Sequence, residues 1–132
     1  MTEQRATDEA RRNRAAKIKS DMESQVAAAT KQVADFGPVK TPSKEKMQRN
    51  ETLCKKYIAA QMKDPESATF QNIRRDASAR AEPGPGLDAW HAGIRYAFEV
   101  NARNGFGGYV GYRAGMCVFD LQEETLLFGK VF

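Results

Sequence analysis

The clearest pattern in the chain runs from Trp90 to Ala102. Trp90, Ala92, Ile94, Tyr96, Phe98, Val100 and Ala102 share one parity, and His91, Gly93, Arg95, Ala97, Glu99, Asn101 and Arg103 share the other. Alternation of this kind predicts a half-buried strand in an antiparallel sheet. Tyr109 to Phe119 predicts a second strand, with Val110, Tyr112, Ala114, Met116 and Val118 on its even face. After a turn near Asp120 to Glu124, Thr125 to Phe132 predicts a third. Upstream the period lengthens. Met47, Leu53, Cys54, Tyr57, Ile58 and Met62 recur at helical spacing out to about Lys63. Asp64-Pro65 ends that run, because a residue before proline disfavours helical backbone. Thr41 is expected to cap this helix, with Pro42 at its first position.

Residues 2–34 hold no Gly or Pro and carry a stripe of Ile18, Met22, Val26, Ala29, Val33 and Phe36, which predicts a first helix stopped by Gly37-Pro38. Ser67 to Arg74 is a candidate strand. Asp76 to Asp88, with two prolines and two glycines, reads as an exposed loop. The expected fold is therefore α+β: a helix of about 20 residues packed on the apolar face of a three- to four-stranded antiparallel meander. An N-terminal amphipathic helix (1–36) and a linker (37–44) precede the globular domain (45–132).

Charge sharpens this division. Residues 1–50 hold 11 Lys/Arg against 7 Asp/Glu, and residues 51–132 hold 10 of each, so the net +4 of the chain sits in its first part. Before Ile18 that part offers only alanines as apolar residues after Met1, and Arg5, Arg11, Arg12, Arg14, Lys17 and Lys19 are expected to project. Such a helix serves to pair with a partner helix or to lie on an acidic surface. No run of apolar residues is long enough to span a membrane, so no membrane insertion is expected. The N-terminus shows no apolar core of a secretory signal, and the expectation is a cytoplasmic protein.

The stretch NGFGGYVGY (104–112) raises a choice of chemistries. A dinucleotide fingerprint needs a third glycine where Val110 stands, and a helix rather than a strand after it. An RNA-recognition strand needs its aromatics on one face, but the extra Gly108 moves Tyr109 off the face of Phe106. The remaining reading is a hairpin turn at Asn104-Gly105, both residues with positive φ, followed by Gly107, Gly108 and Gly111 at a bulge or close backbone approach. Beside it, Arg95, Glu99, Asn101, Tyr109 and Arg113 are expected to share an open face suited to binding.

Catalytic chemistry has few candidates. Cys54, Cys117 and His91 are too few for a tetrahedral zinc site without a carboxylate, and no C-x-x-C occurs. In a reducing compartment the two cysteines are expected to be buried thiols; a bond between them requires Cα atoms within ~7 Å. Cys54 and His91 fall on surfaces that do not meet, and no other nucleophile–base pair stands out. No catalytic residue, cofactor or metal site is expected.

KDPESATFQNI (63–73) and FEVNARNGFGGYVGYR (98–113) resemble a family of small uncharacterised proteins of bacteria and their phages. Those proteins carry a Lys-Asp-Pro-x-Ser-Ala-x-Phe element followed by Val-Asn-Ala-x-Asn-x-Phe-Gly-Gly-Tyr-x-Gly-x-Arg. The resemblance spans about residues 50–119 and implies a helix-plus-sheet module without an assigned activity; many relatives look exported or lipid-anchored. The residues of KDPESATF also have a mechanical reading, with Asp64 and Ser67 bonding nearby backbone while Ala68 and Phe70 enter the core.

The expectation is thus a non-enzymatic protein-interaction module that, in a phage or mobile-element setting, binds a host protein or joins an assembly. Arg11, Arg12, Met22, Val26, Val33, Arg95, Tyr109 and Arg113 are the candidate partner-binding residues. The partner is a protein or, through the first helix, a second copy of the chain. The alternative is a nucleic-acid-binding protein that uses the Arg-rich helix.

Overall fold

A computed structural model describes residues 2–84, 90–104 and 106–132. Its elements, in order, are α1 (Thr2–Phe36), α2 (Lys44–Ala59), a single 3-10 turn (Pro65–Ser67), β1 (Thr69–Arg75), β2 (Arg80–Pro83), β3 (Trp90–Asn101), β4 (Arg113–Phe119) and β5 (Leu126–Val131). The strands form one antiparallel sheet in the order β1-β3-β4-β5, and β2 pairs with the beginning of β3. The fold is the expected α+β arrangement of a helix on an antiparallel meander, preceded by an N-terminal helix.

Several boundaries differ from the sequence pattern. Ser43, not Thr41, caps α2: its backbone is extended and its hydroxyl accepts the Lys46 N–H at 3.2 Å. Pro42 therefore precedes the cap instead of opening the helix. The helix ends at Ala59, and residues 60–62 continue only as hydrogen-bonded turns. Residues 80–83, expected as loop, form β2, with Arg80 opposite Gly93 and Glu82 opposite His91. Four residues are too few to show a period. β2 also buries Glu82, which a reading by polarity assigns to the surface. Residues 85–88 of that expected loop lie outside the described residues. β4 begins at Arg113 instead of Tyr109, because Gly111 at φ 96° breaks the extended run.

Cross-strand neighbours share a face, so the register defines the core. Ile94 faces Phe119, Tyr96 faces Cys117, and Phe98 faces Gly115. This face packs under α2, whose buried residues Asn50, Cys54 and Ile58 lie four apart on one stripe. Ala68 and Phe70 join its edge as expected, the Phe70 and Phe98 rings meeting edge to face at 5.6 Å. Gly129 lets the helix sit close: a Cβ there would lie 3.1 Å from both Ile58 Cδ1 and Cys117 Sγ. The opposite face holds a smaller buried cluster of Met116, Val118 and Phe128. β3 is thus covered on more than one side, and the odd face read as solvated contains buried Gly93 and half-buried Arg95.

Cys54 and Cys117 form a disulfide, their Cα atoms 5.9 Å apart and both residues buried. This corrects the expectation of two free thiols. Helical periodicity placed Cys54 on the apolar stripe and strand periodicity placed Cys117 in β4, but only the packing of α2 across β4 makes them neighbours. The bond ties chain segments 63 residues apart.

A buried polar network completes the join. Arg75 Nε and Nη2 donate to the two carboxylate oxygens of Glu123 at 2.6 and 2.9 Å. Tyr96 Oη donates to Glu123 Oε1 at 2.8 Å, and Asn50 Nδ2 donates to the Glu123 carbonyl at 3.0 Å. The Arg75 pKa is raised by its bonds to Glu123. Burial pushes the Tyr96 phenol up to about 12, and its bond to Glu123 adds to the effect.

Two outcomes follow. Replacing both Cys54 and Cys117 by alanine lowers the unfolding free energy by about 2–4 kcal/mol, because the unfolded chain regains a long loop; urea titration measures it. For Tyr96, the folded state holds its proton to about pH 12 while the unfolded phenol releases it near ~10. Stability from this group is full below ~10 and falls by about 2–3 kcal/mol as pH rises towards ~12. Tyr96→Phe should flatten that part of the stability–pH curve; an unchanged slope would remove Tyr96 as its source.

Candidate functional site: a projecting helix and a basic cleft

α1 divides into two unequal environments. Its second half packs on β2 and β3. Ala29 is buried there, Met22, Gln25, Val26 and Val33 are half-buried, and Gln25 Oε1 accepts the Trp90 N–H at 3.2 Å. From residue 3 to residue 21 every residue is exposed, Arg11 and Arg12 included. At about 1.5 Å per residue this half reaches roughly 30 Å past the docked half. The apolar stripe does not stop where docking stops. Ala15, Ile18, Met22 and Val26 continue it outward, and Ile18 is 43% exposed.

The face expected to gather Arg95, Glu99, Asn101, Tyr109 and Arg113 is not one surface. Arg95 lies opposite Val118, whereas Arg113 lies opposite Val100 on the face that packs under α2. Arg95 is also engaged, its Nε and Nη2 donating to buried Glu82 at 3.1 and 2.7 Å. Glu99 accepts from Gln71 and Asn72. Asn101 Oδ1 accepts the Gly111 N–H, and Tyr109 Oη donates to the Ser67 carbonyl at 3.2 Å. Strand alternation does not carry through the hairpin, where an irregular segment separates Asn101 from Arg113. Nor is a Cys54 thiol available to pair with His91, whose ring lies 5.6 Å from that of Phe128.

The fold instead joins the two sequence motifs. Ser67 Oγ donates to the Asp64 carbonyl at 2.7 Å and accepts the Arg103 N–H at 2.8 Å. Asp64 Oδ2 lies 3.6 Å from Arg103 Nε, and the Arg103 guanidinium sits 5.9 Å from the Tyr109 ring centroid. Thr69 Oγ1 and Tyr112 Oη are 3.3 Å apart. The segment 63–70 therefore clamps the base of the glycine hairpin. The hairpin itself is organised by Asn104, whose Oδ1 accepts the N–H groups of Phe106 and Gly108. Asn104 does not take the positive φ expected of it; Gly107 does, at 84°, and Gly105 lies outside the described residues. Phe106 is fully exposed at the tip.

Between this hairpin, the residues after α2 and the end of β5 lies a cleft of about 380 Å³. Lys63, Arg103, Arg113 and Lys130 line it, with no carboxylate side chain among the described lining residues, over Met62, Val100, Ala102, Val110 and Val131. Lys63, Arg103 and Arg113 belong to the two motifs, but Lys130 lies outside them in the third expected strand, so the sequence did not show the cluster.

Comparison of the chain with protein-family models, curated proteins and solved structures found no match.

Ser67→Ala removes the acceptor of the Arg103 N–H at a site only 4% exposed. The expected cost is about 1–3 kcal/mol. Amide exchange at Arg103 and Tyr109 should speed up more than in β4; equal acceleration throughout would show that the clamp is not local.

Proposed function

We propose that the chain is a non-enzymatic protein-interaction module whose N-terminal helix engages a partner helix or a second copy of itself. The supporting observation is the apolar stripe that runs from the docked half of α1 onto its solvated half through Met22, Ile18 and Ala15. A helix gains most of its stability from packing such a face. Covering the stripe would give the projecting segment what the docked segment receives from β2 and β3.

The nucleic-acid alternative has weaker support. Arg5, Arg11, Arg12, Arg14, Lys17 and Lys19 are interspersed with Glu3, Asp8, Glu9 and Asp21, so the exposed half, residues 3–21, carries a net charge of only +2. No described helix is long and apolar enough to cross a membrane. As for compartment, the buried Cys54–Cys117 bond favours an oxidising one over the cytoplasm, in line with the exported look of many proteins that the chain resembles. Binding of a host protein in a phage or mobile-element setting rests on that resemblance.

Ile18→Asp tests the proposal without touching the docked half. Loss of one buried isoleucine is worth about 1.5–3 kcal/mol, or roughly ten- to a hundredfold in affinity. Light scattering reads self-association, and affinity capture with and without nuclease reads other partners. The reading expects complexes that survive high salt and nuclease and are lost with Ile18→Asp. Complexes lost to salt and nuclease but indifferent to Ile18→Asp would replace it with the nucleic-acid reading.

A further inference from the structure

We propose that the cleft beside the glycine hairpin binds a small organic anion, a phosphate or carboxylate joined to an apolar group. Four cationic side chains from four parts of the chain converge there: Lys63 after α2, Arg103 after β3, Arg113 at the start of β4 and Lys130 in β5. Asp64 offsets Arg103 alone, at 3.6 Å. Arg113 Nη2 donates to the main-chain oxygen of Phe132 at 2.6 Å. Lys130 has the Phe132 ring 5.3 Å away, and neither it nor Lys63 forms an ion pair among the described residues. Converging like charges over a low-dielectric floor raise the local potential and favour an anion.

The floor narrows the ligand class. Met62, Val100, Ala102, Val110 and Val131 present hydrocarbon, so an inorganic ion would leave that surface uncovered. Arg103 and Arg113 offer planar donor forks that match phosphate and carboxylate oxygens. A volume of about 380 Å³ is at the small end of ligand sites and suits a compact molecule instead of a folded chain. The clamp of Ser67 on Arg103 and of Asn101 on Gly111 fixes the hairpin wall before any ligand arrives. Pre-formed walls cut the ordering cost of binding.

The test is an amide NMR titration of the full chain with phenyl phosphate, inorganic phosphate and benzyl alcohol. Phenyl phosphate should shift Lys63, Val110, Gly111 and Val131 saturably, and bind more tightly than either of the other two. Lys63→Gln with Lys130→Gln, both near the surface, should weaken phenyl phosphate roughly tenfold while leaving the remaining spectrum in place. Absence of saturation overturns the proposal. So does equal binding by the double variant, or binding of benzyl alcohol or inorganic phosphate as tight as that of phenyl phosphate.

Discussion

The rest of the body depends on one turn being held in place. Residues 120–125 reverse the chain between β4 and β5, and Glu123 sits there buried and with φ at 57°, a region that a side chain normally avoids. Asp120 makes the turn possible: its carboxylate accepts the Glu124 and Thr125 N–H groups, and its carbonyl accepts that of Glu123. A buried carboxylate is stable only with partners. Arg75 brings β1, Tyr96 brings β3, and Asn50 brings α2 to the same residue. Lys46 and Arg49 add bonds from α2 to the Gln122 and Glu124 carbonyls. Bonding to Lys46 also holds the Glu124 carboxyl below its usual range.

This turn and the disulfide act from one side of α2. Asn50 reaches the turn, Cys54 is bonded to β4, and Ile58 meets Gly129 in β5. One helical stripe thus carries a polar, a covalent and an apolar attachment in successive turns. The surfaces with functional interest lie outside this joint. The cleft is at the end of the sheet where α2 gives way to the 3-10 turn, and the solvated half of α1 leaves the body altogether. Neither is needed to hold α2 on the sheet, so both are free to carry interactions.

The alternation of Trp90 to Ala102 was legible because β3 is central and long, and the α2 stripe because one face of that helix is apolar. Legibility failed where a polar residue is inside. Asn50 belongs to the buried stripe yet reads as surface, and Glu82 and Glu123 read as loop. Their burial depends on Arg95, Arg75 and Tyr96, none of them near in sequence. The link between the two motifs was legible as co-occurrence, but its cause, Ser67 bonding the Arg103 backbone, needed the fold. The cleft was hidden for the same reason: its four cations come from separate segments, and only their convergence makes a site.

The most direct test of this account is a double-mutant cycle between Asn50→Ala and Arg75→Met, read by urea unfolding. The two side chains hold different parts of Glu123, its carbonyl and its carboxylate. If the turn is the shared point of attachment, losing either bond loosens what the other holds. The double variant should then cost less than the sum of the single ones by about 1 kcal/mol or more. Additivity within roughly 0.5 kcal/mol would mean that α2 and β1 are held independently, and would contradict the central role given to Glu123.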